Sequence, residues 1–204
     1  MKIKYILGGG IPQSALDGGV AFCEEIVTGF NGPVKILDCL FARSPEKWES
    51  AFSEDKAFFA RCLPDTNLKI QLADPNQFIE QIRLTDVLYI RGGTTLALLD
   101  TLNRIEQWQT SLEGKTVVGL SAGANVLSKY YYGLDSLKVE EGFGLVTVKV
   151  ITHFRSNYHA PNIDWDKAYL EIQNREKSLR LITLAEGEFT VIVSSSCVWQ
   201  QGDP

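Results

Sequence analysis

Gly119-Leu120-Ser121-Ala122-Gly123 sets a serine between two glycines, each two positions away. An apolar run, Lys115 to Val118, leads in and reads as a buried strand. Ala124-Asn125-Val126-Leu127-Ser128-Lys129 leads out and reads as the start of a helix. G-x-S-x-G between strand and helix stands a serine hydroxyl up at the strand's end. The glycines let the chain turn sharply without side-chain collisions. The Ala122 N–H points into the same space, where it can stabilise an oxyanion. A turn that merely needs glycines is the plainer alternative, and the strand-then-helix context favours the nucleophile.

A serine nucleophile needs a base, usually histidine. The chain has two, His153 and His159. His153 ends the apolar run Val148-Lys149-Val150-Ile151-Thr152, whereas His159 lies in a polar segment, so His153 is favoured. An acid must then orient the imidazole. Asp135 would give the order Ser-Asp-His of α/β-hydrolases. Glu186 follows the strand-like Leu181-Ile182-Thr183-Leu184-Ala185 and precedes Gly187, so strand-end placement favours it. A second oxyanion donor is naturally drawn from Gly92-Gly93-Thr94, whose glycines allow close backbone approach. The same loop reads equally as a helix N-terminus capped by Thr94 or Thr95.

These groups need a scaffold that gathers strand ends. Strand-like and helix-like segments alternate along the first part of the chain. Strands are expected at Lys2 to Leu7, Val34 to Leu40, Leu68 to Leu72 and Asp86 to Ile90. Helices are expected at Ser14 to Thr28, Pro45 to Cys62, Pro75 to Ile82 and Thr94 to Ile105, with Leu16, Val20, Cys23 and Val27 on one face of the first. After about Tyr132 the pattern shifts to strands at Leu137 to Val139, Leu145 to Thr152, Arg180 to Ala185 and Phe189 to Ser194, with one helix at Asp164 to Arg175. Tyr130-Tyr131-Tyr132-Gly133 reads as a loop. The whole predicts one three-layer α/β/α domain over residues 1–204, with a mostly parallel sheet. Ligands of such sheets sit beyond the C-terminal strand ends. Gly8-Gly9-Gly10, Arg91-Gly92-Gly93 and Ser121 all fall on that edge. The triple glycine does not continue as G-x-G-x-x-G, since Gln13 takes the last position, so it reads as a tight turn permitting close backbone approach rather than a dinucleotide site.

The 204 residues are 45% hydrophobic and 22% charged, an ordinary globular composition. A net charge of −5 and a pI of about 5.1 argue against nucleic acid or an anionic membrane as partner. No apolar run approaches a signal-peptide core or a membrane span. Cys23, Cys39, Cys62 and Cys197 form no C-x-x-C pair and read as free thiols of a reducing cytoplasm. No cofactor or metal is expected, the expected partner is a small peptide substrate, and a homodimer stays open.

Four pieces together resemble the dipeptidase E and cyanophycinase family of serine peptidases. They are Gly119 to Asn125, Gly92-Gly93-Thr94-Thr95, His153-Phe154 at a strand end and Leu184-Ala185-Glu186-Gly187. Their order and spacing fit over most of the chain. The resemblance implies a flavodoxin-like fold similar to class I glutamine amidotransferases. It implies Ser121 as nucleophile, His153 as base, Glu186 as its orienter, and the Gly93 and Ala122 N–H groups as oxyanion hole. Gly92 and Thr94 would border the substrate. Arg91 stands where dipeptidase E has a third glycine, Thr94 where it has asparagine, and Thr152 where it has proline. The arginine that dipeptidase E uses for aspartate has no obvious counterpart, and Arg91 and Arg155 are the candidate substitutes. An esterase or other acyl hydrolase, and an inactive binding module, are the competing readings.

Overall fold

The computed structural model describes residues 2–157 and 163–195, so His159 and Cys197 lie outside the described residues. In chain order the elements are β1 (Lys2–Gly8), α1 (Val20–Val27), β2 (Val34–Cys39), α2 (Trp48–Cys62), β3 (Leu68–Leu72), α3 (Phe78–Leu84), β4 (Val87–Ile90), α4 (Thr95–Asn103), β5 (Thr116–Leu120) and α5 (Ala122–Leu127). Then come β6 (Ser128–Gly133), β7 (Lys138–Glu141), β8 (Val146–Ile151), α6 (Trp165–Asn174), β9 (Leu181–Thr183) and β10 (Phe189–Ser195).

Six strands make the main sheet in the order β10-β1-β5-β4-β2-β3. All pairs are parallel except β10, which runs antiparallel along β1. Alternation sorts the side chains onto two faces. Ile3, Tyr5 and Leu7 of β1 join α3, α4 and α5 in one core. Ile6, Ile36, Tyr89 and Val118 face α1 and α2 in the other. This is the expected mostly parallel sheet with helices on both faces.

The later strands do not all extend that sheet. β7, β6, β8 and β9 form a second, four-stranded sheet in that order. It shares the first core through Tyr131, Val148, Val150 and Ile182. The tyrosine run read as a loop is β6, in keeping with the preference of aromatic side chains for half-buried pleated surfaces. It begins where α5 stops after six residues, at Ser128, whose hydroxyl donates to the Asn125 carbonyl at 2.8 Å.

The first helix also starts later than its apolar face suggests. Asp17 accepts from Gly19 N at 2.9 Å and Ala21 N at 2.7 Å, so the helical turns begin at Val20. Leu16 therefore falls in the preceding turn, fully exposed, and not on the helix face. No helix among the described residues is long and apolar enough to cross a membrane.

Candidate active site

Three strand ends and one turn meet at the C-terminal edge of the main sheet. Ser121 is the first residue past β5, with φ 50° and ψ −109°, a conformation that non-glycine residues rarely hold. Two hydrogen bonds fix it there. Its N–H donates to the Gly8 carbonyl at 2.9 Å, and its carbonyl accepts from Asn125 N at 2.9 Å. The flanking glycines are required by proximity. A Cβ on Gly123 would strike the Ile90 carbonyl, and one on Gly119 would come within 2.5 Å of the Gly123 backbone.

His153 lies two residues past β8, buried, also at positive φ. Its N–H donates to the Gly9 carbonyl at 2.8 Å. Its Nε2 stands 2.7 Å from Ser121 Oγ, and its Nδ1 contacts Glu186 Oε1. Glu186 follows β9, and its other oxygen accepts from Ile11 N at 2.7 Å. The Ser156 hydroxyl lies 3.3 Å from Oε1. An ionised carboxylate only accepts, so the proton of a neutral ring sits on Nδ1 and leaves Nε2 free to accept from the serine hydroxyl. A serine linked in this way to imidazole and carboxylate is equipped for nucleophilic chemistry.

The triple glycine makes the close backbone approach that its turn permits. Gly8 and Gly9 lend their carbonyls to Ser121 and His153. Gly10 lies flat against the histidine–glutamate pair: a Cβ there would collide with Glu186 Oε2 and come within 2.7 Å of His153 Cε1. Gly10→Ala is therefore expected to push the two side chains apart. A misplacement of this size near reacting atoms costs on the order of 10²-fold in kcat. Turnover measured beside a thermal melt checks this, and an unchanged kcat would show that the pair tolerates displacement.

A cavity of about 750 Å³ opens over these groups, lined among others by Ser121, His153, Asn125, Gly92, Gly93 and Arg43. Gly92 packs on the serine, since a Cβ there would sit 3.0 Å from Ser121 Cβ. Gly93 is exposed to the cavity. No described residue accepts a hydrogen bond from its N–H or from that of Ala122, the first residue of α5. Thr94 lines the cavity as the residue before α4, its side chain making no cap hydrogen bond there. The Asn125 amide donates to Thr95 Oγ1 at 3.2 Å and accepts from the Thr152 hydroxyl at 3.4 Å, tying the elbow helix to the loops around it.

The two arginines offered for substrate contact are differently placed. Arg155 is turned to the surface, 2.9 Å from Asp166 and outside the cavity lining. Arg91 lines the cavity, but its Nε stands 2.9 Å from the buried Asp55. Asp135 is exposed at the cavity's edge, and the Nδ1 of His153 is occupied by Glu186 instead. Arg43, which carries no local signal of a role, reaches in from the loop after β2. Its Nε donates to the Gly92 carbonyl at 3.2 Å, and no described carboxylate lies within ion-pair distance. Among the described residues no cluster of three histidines, cysteines or carboxylates could hold a metal.

No curated protein matches the chain. A crystal structure of a peptidase from an acI-B1 actinobacterium superposes with a TM-score of 0.63 at 22% identity, over 93% of this chain and 82% of that one. A "Putative Peptidase E Protein" from Listeria monocytogenes EGD-e does so with a TM-score of 0.67 at 17% identity, over 97% of this chain and 100% of that one. The sequence model named Peptidase family S51 matches residues 51–197, a span that holds Ser121, His153 and Glu186. The chain thus belongs to peptidase family S51, the dipeptidase E family of serine peptidases.

Proposed function

We propose that this chain is an exopeptidase of short peptides, with Ser121 as nucleophile, His153 as general base and Glu186 as the group that holds the imidazole. The observation that carries the reading is the unbroken contact from Ser121 Oγ through both ring nitrogens to Glu186. In this reading Ser121 Oγ adds to the scissile carbonyl as its proton moves to His153 Nε2. The negative charge that builds on the carbonyl oxygen meets the Gly93 and Ala122 N–H groups. The imidazolium then protonates the leaving amine, and water, activated by the same ring, hydrolyses the acyl-enzyme. A fluorophosphonate should add once, on Ser121, and peptide hydrolysis should fall in step with labelling. Labelling without peptide turnover would favour an esterase, and no labelling would leave an inactive binding module.

The preference for acidic groups belongs to this reading too, on a different arginine from the two first considered. Arg155 is held by an exposed aspartate, and Arg91 is neutralised by a buried one. Arg43 lines the cavity with no described carboxylate within ion-pair distance, and Lys47 lies nearby on the lining. A charge-assisted hydrogen bond to a substrate carboxylate is worth roughly tenfold or more in binding. Arg43→Gln is accordingly expected to lower kcat/KM for Asp-Leu about tenfold relative to Asn-Leu, and Arg155→Gln to leave that ratio alone. An Asp-to-Asn ratio untouched by Arg43→Gln would reject this role.

A further inference from the structure

Under the floor of the cavity lies a group of charges that the mechanism above does not use. Asp38, in β2, is wholly buried, and no N–H or O–H donor of the described residues reaches either of its oxygens. It faces the carboxyl of Asp55, from α2, which is 1% exposed. Two carboxyls can hydrogen-bond each other only if one carries a proton. Asp55 Oδ2 in turn stands 2.9 Å from Arg91 Nε, an ion-pair distance at which the N–H is not aimed for a hydrogen bond. Glu54, largely exposed, lies 3.7 Å from the same guanidinium. Arg43 from the loop after β2, Tyr89 from β4 and the buried thiol of Cys39 also lie around the pair.

Arg91 is where this cluster meets the cavity. Its backbone N–H continues the β2–β4 ladder by donating to the Cys39 carbonyl at 3.0 Å. The next two residues are Gly92, packed on Ser121, and Gly93, the proposed oxyanion donor. Dipole donors of this kind work only when held in place before charge develops. A side chain anchored in the interior one residue before the turn is a means of holding it.

We propose that Asp38, Asp55 and Arg91 form a buried positioning cluster. One proton lies between the two carboxyls, the remaining negative charge faces the guanidinium, and the anchored arginine sets the Gly92–Gly93 turn against Ser121. The protonation order follows from burial. Desolvation and the neighbouring Asp55 hold Asp38 well above the usual carboxylate range. Desolvation raises Asp55 to about 6 against the pull of Arg91, so it is the ionised partner at neutral pH. Asp38 thus supplies the neutral member and Asp55 the anion. An unpaired buried guanidinium is far more costly than a neutral amide in place of a neutral acid.

The proposal rests on the oxyanion reading for its effect on rate, but not for its effect on stability, and the test uses both. Asp55→Asn removes the anion and is expected to cost at least tenfold more in kcat than Asp38→Asn, with KM for a dipeptide changed less than threefold in either. Equal losses in the two isosteric variants, or a loss confined to KM, would overturn it. Stability gives the second arm. A carboxyl whose folded pKa is raised binds its proton more tightly in the native state, so its contribution is full below about pH 4 and fades as pH rises through the folded value. Asp38→Asn abolishes that dependence. The melting temperature of the Asp38→Asn protein minus that of the wild type should therefore climb between pH 4.5 and pH 8. A constant difference would show that no proton is held at Asp38, even if Asp55→Asn fails to fold. Fluorophosphonate labelling of the wild type reports separately on the nucleophile.

Discussion

Ser121→Ala is expected to abolish peptide hydrolysis, with kcat lower by on the order of 10³-fold or more, as when any member of a group acting as a unit is removed. The fold should survive. The substitution keeps the Cβ and the positive φ, and the hydrogen bonds that fix residue 121 are made by its backbone. What disappears is the hydroxyl 2.7 Å from His153 Nε2. The fluorophosphonate adduct should vanish together with turnover, while the melting temperature stays within a few degrees of wild type. Residual hydrolysis within tenfold of wild type would assign the nucleophile elsewhere.

Glu186→Gln is expected to lower kcat by about 10³-fold, by analogy with loss of the orienting acid in other serine hydrolases. The cause is local. Glu186 serves three donors at once, the His153 ring and the Ser156 hydroxyl through one oxygen and Ile11 N through the other. A glutamine amide has one acceptor and one donor end, so one of those partners must face an N–H. Holding Ile11 turns the wrong group toward the ring, and holding the ring frees the turn after the triple glycine. Asp135→Asn is expected to cost at least a hundredfold less, since that carboxyl sits at the edge of the cavity. A larger loss at Asp135 would reverse the assignment. Steady-state kinetics on one dipeptide across both variants decides between them.

The residues that proved legible were those whose signal is local. A glycine-flanked serine after an apolar run declares a turn, and His153 and Glu186 stand out in the sequence because each follows a strand. The illegible parts depend on distant partners. Nothing near Gly10 in sequence says that it must lie flat on Glu186. Arg91 and Arg155 looked alike as free cations beside the site, because Asp55 and Asp166 that engage them come from separate helices or their neighbourhood. Tyr130 to Tyr132 reads as a loop because no period of two shows in three identical side chains, all buried once β7 and β8 flank them. The late start of α1 is the opposite case. Asp17 followed by two glycines is a local stop, outweighed in the reading by the apolar spacing of Leu16 and Val20.

The way the site hangs on the end of β1 has a consequence for how the enzyme comes into being. Ile11 waits for a carboxylate 175 residues further along the chain. At a ribosomal pace of 5–20 residues per second that is a delay of roughly 9 to 35 s. Throughout it β1 lacks β10, the neighbour on one of its sides, and remains an open edge. Long-separated pairings of this kind also close slowly. In the proposed mechanism the nascent chain thus carries Ser121 long before it carries Glu186. On that reading, turnover recovered after refolding reports the joining of segments 175 residues apart, and fragments that end before Glu186 are expected to lack it.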